Sequence, residues 1–80
     1  MIKQREEMRK DTYKNIEKNF KNVFRDIEDS MEFASSHGDF EIEINAKFLK
    51  QRDLENIKRV LVHKGYTVSI YGSEIEITWW

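Results

Sequence analysis

Apolar residues recur every three or four positions through the first part of the chain: Tyr13, Ile16, Phe20, Val23 and Ile27, with Phe24, Met31 and Ala34 beside that line. This spacing places them on one face of a helix. No Gly or Pro interrupts residues 1–37, and MIKQREEMRK is rich in strong helix formers. The pattern therefore predicts one continuous helix from about Ile2 to Ser36, roughly 50 Å long at ~1.5 Å per residue. Asp11-Thr12 offers a second possible start, capping a helix that begins at Tyr13. Gly38, after Ser35-Ser36-His37, supplies the stop.

The period then changes to two. Phe40-Glu41-Ile42-Glu43-Ile44 alternates strictly, the signature of a strand with one buried face. Asn45 suits the cap of a second helix, with Leu49, Leu54, Ile57, Val60 and Leu61 as its apolar positions. Its first residues, 46–50, read equally as a loop. Gly65 ends it, after His63-Lys64, where the helix dipole favours basic groups. Tyr66, Val68 and Ile70 alternate with Thr67, Ser69 and Tyr71. Ile75, Ile77 and Trp79 alternate with Glu74, Glu76, Thr78 and Trp80. Gly72-Ser73 between them fits a two-residue type II′ hairpin.

The order helix–strand–helix–strand–strand predicts an α+β fold in a single domain, 1–80, with residues 39–80 as a β-α-β-β unit. The economical sheet has three strands, with the last one central and antiparallel to both others, as in a split β-α-β unit. Both helices then cover the face carrying Phe40, Ile42, Ile44, Val68, Ile70, Ile75, Ile77 and Trp79. The other face carries Glu41, Glu43, Glu74, Glu76, Thr67, Ser69, Tyr71, Thr78 and Trp80.

Length bears on how such a fold is stabilised. A chain of 80 residues buries only about 60–65% of the surface it exposes unfolded. Small cores are usually supplemented by disulfides, metal or oligomerisation. There is no Cys, which leaves oligomerisation. A strand of five or six residues spans about 17–20 Å, so the long helix overhangs its sheet. Its stripe (Tyr13, Ile16, Phe20, Val23, Phe24, Ile27) is the expected interface of a homodimer or larger homo-oligomer, beyond the part that packs on its own sheet.

Charge is distributed in blocks although the net is only −1. Residues 1–25 carry eight basic and four acidic groups (+4), and residues 26–46 carry seven acidic and no basic groups (−7). Residues 47–65 carry six basic and two acidic groups (+4), and Glu74 and Glu76 complete the total. Blocks of opposite sign can pair between copies. Lys14, Lys18, Lys21 and Arg25 fall at helical spacing and, with Lys58 and Arg59, offer an anion or nucleotide-phosphate site, or a solvated helix face. Glu41, Glu43, Glu74 and Glu76, beside Tyr71 and Trp80, offer an acidic, partly aromatic surface for a basic protein groove, or charges that keep the sheet from aggregating.

Residues that carry chemistry are sparse. His37 and His63 stand at helix ends, and no nucleophile–base pair, phosphate cradle or Ca²⁺-loop spacing is present. The expectation is a non-enzymatic protein without cofactor or metal. No apolar run is long enough to span a membrane, and the absence of Cys and of an N-terminal apolar run fits a cytoplasmic protein.

Ala34-Ser35-Ser36-His37-Gly38 before a strand, Leu61-Val62-His63-Lys64-Gly65-Tyr66-Thr67-Val68 at the helix–strand corner, and Ile75-Glu76-Ile77-Thr78-Trp79 in the last strand form a succession. It resembles small proteins of tailed bacteriophages that read A-x-x-x-G, strand, helix, L-x-x-x-G-Y-x-V, strand, I-x-I-x-W. The resemblance covers about residues 30–79 and rests on structural residues, so it transfers no site. It implies a mostly non-enzymatic class, some members structural, others binding and disabling host proteins or sequestering signalling nucleotides. The leading expectation is a phage-type protein that self-associates and inhibits a host protein in the host cytoplasm. The alternatives are an oligomeric binder of nucleotides or other anionic small molecules, and a phage structural or assembly component. Direct DNA binding ranks after these.

Overall fold

The computed structural model describes residues 2–80. Its elements are α1 (Arg5–Asn19), α2 (Lys21–Ser36), β1 (Glu41–Asn45), α3 (Gln51–His63), β2 (Thr67–Tyr71) and β3 (Glu74–Thr78). The sheet order is β1-β3-β2, with both pairings antiparallel. The α+β class, the central last strand and the helix-covered face are as the periodicities predict.

Alternation sets the register. Ile42 faces Ile77 and Ile44 faces Ile75 across β1 and β3, while Val68 and Ile70 face the same two isoleucines from β2. Ile75 and Ile77 are fully buried, and Val23, Ile27, Leu54, Ile57 and Leu61 pack into the same core. α2 lies over β1 and α3 over β2. Fully burying side chains of this size is worth about 1.5–3 kcal/mol each.

Glycine ends both covering helices. At Gly65, φ is +101°, its N–H donates to the Val62 carbonyl and the Tyr66 N–H donates to the Leu61 carbonyl. This is the paired-bond Schellman termination that needs a left-handed residue. At the end of α2, the Gly38 N–H donates to Ser35 and the Asp39 N–H to Ala34 in the same way. In the hairpin Gly72 has φ +62° while Ser73 does not have positive φ, as a type II′ turn requires.

Four expectations are corrected. The long helix is not continuous. Phe20 adopts φ −117° and ψ +37°, separating α1 from α2. Asn19 and Asn22, weak helix formers, flank the break. α1 packs on α3, where the Tyr13 ring meets the His63 ring at 4.6 Å and Glu17 pairs with Lys64 at 2.9 Å. These contacts offset the interrupted helical bonding. Asp11-Thr12 starts no helix: the Thr12 hydroxyl donates to the Met8 carbonyl inside α1. Met1, within the expected domain 1–80, lies outside the described residues.

Asn45 does not cap the second helix. Its side-chain oxygen accepts from the Lys47 N–H, closing a local turn, and α3 begins only at Gln51. Phe40 is not on the buried face. It lies just before β1, is 55% exposed, and stacks on Trp80 with ring centres 6.4 Å apart.

Candidate functional site

The sheet face turned away from the helices is built by the same two-residue alternation as the core. Glu43 stands directly opposite Glu76, Glu41 opposite Thr78, and Asn45 opposite Glu74. On the other side of β3, Ser69 faces Glu76 and Tyr71 faces Glu74. Four carboxylates thus share one small sheet face with no helix over it. Among the described residues the ion pairs are Lys3–Asp11 and Lys64–Glu17, so none of the four carboxylates has a basic partner. Like charges directly opposite on neighbouring strands destabilise a sheet. Tyr71 is exposed near the hairpin, while at the far end Trp80, 91% exposed, forms a corner with Phe40. Of the adjacent tryptophans, Trp79 packs against the core and Trp80 is outside.

The expected oligomer interface is largely internal. Ile16, Val23 and Ile27 are 8%, 8% and 1% exposed, so within the folded chain they meet its own core and not a second protein. Tyr13, Phe20 and Phe24 are half-buried, Tyr13 against His63 and the two phenylalanines against the core. The stripe is covered because α1 packs on α3 and α2 packs on the sheet. The first residues of the helical arm, 2–10, remain exposed on every side.

The six candidate anion-binding cations do not converge on one site. Lys21 and Arg25 line a groove of about 490 Å³ beside α2, and Lys18 with Lys21 borders a second near Phe48. Lys58 and Arg59 border a third near Tyr13 and His63, and Lys14 is exposed on α1. The break at Phe20 falls between Lys18 and Lys21, dividing the four between α1 and α2.

No family model, curated protein or solved structure matches this chain. Its function must therefore be argued from its surfaces.

His37 is held at the end of α2, with its ring 4.4 Å from Phe33 and its Nδ1 2.9 Å from the Phe33 carbonyl oxygen. His63 faces Tyr13. Both histidines are engaged in packing at helix ends. Among the described residues no three His, Cys, Asp or Glu are grouped to hold a metal ion, and no helix is long and apolar enough to cross a membrane.

The sequence reading missed the groove along α2. Its apolar lining is Phe24, Ile27, Met31, Leu61 and Tyr66, and its charged lining is Glu17, Lys21, Arg25, Glu28 and Lys64. A contiguous depression of about 540 Å³ extends it past Glu28, Met31 and Tyr66 to Glu32 and Trp79. The available signal was the order of charges on α2: both basic residues in its first half and the acidic ones after them.

Proposed function

We propose that this protein is a non-enzymatic binding module that captures a basic protein surface on its acidic sheet face. The observation that supports it is the direct opposition of Glu43 and Glu76, flanked by Glu41 and Glu74, on an uncovered face without counter-charges. A surface whose only task is to remain solvated gains by mixing signs. This one keeps a single sign in an arrangement that costs the sheet stability. Such a field attracts a positive partner, raises the rate of encounter and penalises wrong partners. Tyr71 and the Phe40–Trp80 corner add the rigid aromatic area that anchors interfaces.

The resemblance to small phage proteins gives this partner a class: a host protein whose working surface is basic and is blocked when occupied. The scattering of the six cations gives no comparable support to a nucleotide binder.

The test is affinity capture from bacterial lysate on the immobilised chain, with Glu43→Lys plus Glu76→Lys as the comparison. That double change preserves a like-charge pair, so the fold keeps a similar internal balance while the field reverses. Capture of a protein with a basic surface, competed by polylysine and lost in the double variant, is the expected result. Capture that persists unchanged in the double variant refutes the acidic-face reading.

A further inference from the structure

We propose that the groove along α2 receives α2 of a second copy of this chain, packed antiparallel about a two-fold axis. Lys21 then meets Glu32 of the partner subunit, and Arg25 meets Glu28 of the partner subunit. Phe24 lies alongside Met31 of the partner subunit, a sulfur–aromatic contact.

Three features of α2 converge on this occupant. First, its charges are misplaced for a solitary helix. There is no acidic residue in its first turn and no basic residue in its last, and Lys21 sits where the dipole is already positive. An antiparallel helix alongside presents its negative end to Lys21. Second, Lys21 and Arg25 are like charges four apart, as are Glu28 and Glu32. Each like-charge pair works against an isolated helix, while Arg25 has Glu28 and Asp29 one turn on as its opposite-charge neighbours. None of these four side chains takes part in an ion pair among the described residues. Third, the order plus, plus, minus, minus at spacings of four, three and four is symmetric under reversal. Two copies running in opposite directions match every plus with a minus in one register. A parallel pairing in register matches like with like.

The groove supplies the apolar part of the contact. Phe24, Met31, Tyr66 and Trp79 are half-buried along it, each with an edge at the surface. The interface replaces the stripe of Ile16, Val23 and Ile27, which the chain's own core covers. It lies on the helical layer, opposite the acidic sheet face, so the two surfaces can be occupied independently. A two-fold contact is also closed, which limits assembly to a dimer.

The experiment is sedimentation equilibrium on the full chain and on three variants: Arg25→Glu, Glu28→Arg and the two together. The unaltered chain is expected to be a dimer. Each single variant sets like charges against each other twice across the two-fold axis and raises the dimer dissociation constant about tenfold or more. Arg25→Glu turns the Lys21 pair into an opposite-charge pair four apart, and Glu28→Arg does the same for Glu32. Circular dichroism of each variant checks that its helix content is retained, which separates loss of the dimer from misfolding. The double variant restores the complementary pattern and with it the dimer. A monomeric unaltered chain up to its solubility limit overturns the proposal. So does a dimer indifferent to the single changes, or one that the double change fails to restore. The lysate capture test has no bearing on these outcomes, so failure of either reading is recognised separately.

Discussion

Replacing Glu76 with Lys should make this protein more stable. Glu76 lies on the central strand directly opposite Glu43, with Glu41 diagonally across on β1 and Glu74 two positions back on its own strand. The substitution removes one direct like-charge pair and creates an opposite-charge pair in its place. Each is worth roughly 0.2–1 kcal/mol, so the combined change is about 1 kcal/mol. For a domain of this size, about 1 kcal/mol raises the melting temperature by roughly 4–8 °C. Thermal unfolding followed by circular dichroism at low ionic strength measures it. The same pair of melts in 1 M salt, where the Debye length falls to about 3 Å, should show most of the gain screened away. A melting temperature that is unchanged or lower at low salt would mean that the carboxylates do not repel enough to matter. The case for a surface held against its own stability would then collapse.

Other perturbations test other levels of the structure. Ile27→Asp places an unpaired carboxylate at a site only 1% exposed and should unfold the chain, a loss of several kcal/mol; a folded monomer in gel filtration and circular dichroism would return this residue to the outside. Gly65→Ala meets no neighbouring atom but must hold φ near +101°, so urea titration should find a loss of about 1–2 kcal/mol from backbone strain alone. The Lys3 ammonium, hydrogen-bonded to Asp11 at 2.7 Å, holds that carboxyl below the usual carboxylate range. The link between Lys3 and the α1 arm is therefore complete above the ordinary carboxylate pKa and is lost as pH falls through the lowered one. NMR titration of the Asp11 carboxyl in Lys3→Ala should find the midpoint raised, and an unmoved midpoint would dismiss the pair. Ile57→Ala, at a fully buried site, should cost about 2–5 kcal/mol, read as a lower urea midpoint.

The sheet was legible in the sequence because a period of two leaves little choice. Shifting Ile42, Ile44, Ile75 and Ile77 by one residue would expose all four. The hairpin and both glycine stops were legible for a related reason, since few residues tolerate those backbone angles. The break at Phe20 was not. It has neither Gly nor Pro, and Asn19 and Asn22, which flank it, are only weak signals against a helix. A helical stripe reports that something covers it, not whether the cover belongs to the same chain. Hence Ile16, Val23 and Ile27 read as an interface, whereas α1 packs on α3 and α2 on the sheet of the same chain. Asn45 shows the same ambiguity locally, since one side-chain oxygen serves a helix cap or a tight turn, and here it serves the turn. The acidic face was visible as alternating glutamates, but the opposition of Glu43 to Glu76 required the register.

Local preference and global fold agree through the interior of this molecule and disagree on two of its surfaces. Inside, the apolar positions fall where the strands and helices need them, and no buried side-chain polar atom lacks a partner among the described residues. Outside, Glu43 opposes Glu76 on the sheet, Lys21 neighbours Arg25, Glu28 neighbours Glu32, and α2 carries its charges against its own dipole. Natural sequences keep local choices consistent with the fold, and departures concentrate where something other than the fold is being specified. Each departure here has the same remedy, a charge of opposite sign brought from outside. On α2 the chain itself carries the matching pattern, which argues for a second copy. On the sheet face, none of the four carboxylates is paired with a basic group of this chain among the described residues, which argues for a different molecule. The two proposals thus assign the surfaces partners of different kinds, and a dimer joined through its helices would present both acidic faces outward, doubling the sites at which a basic protein can be held.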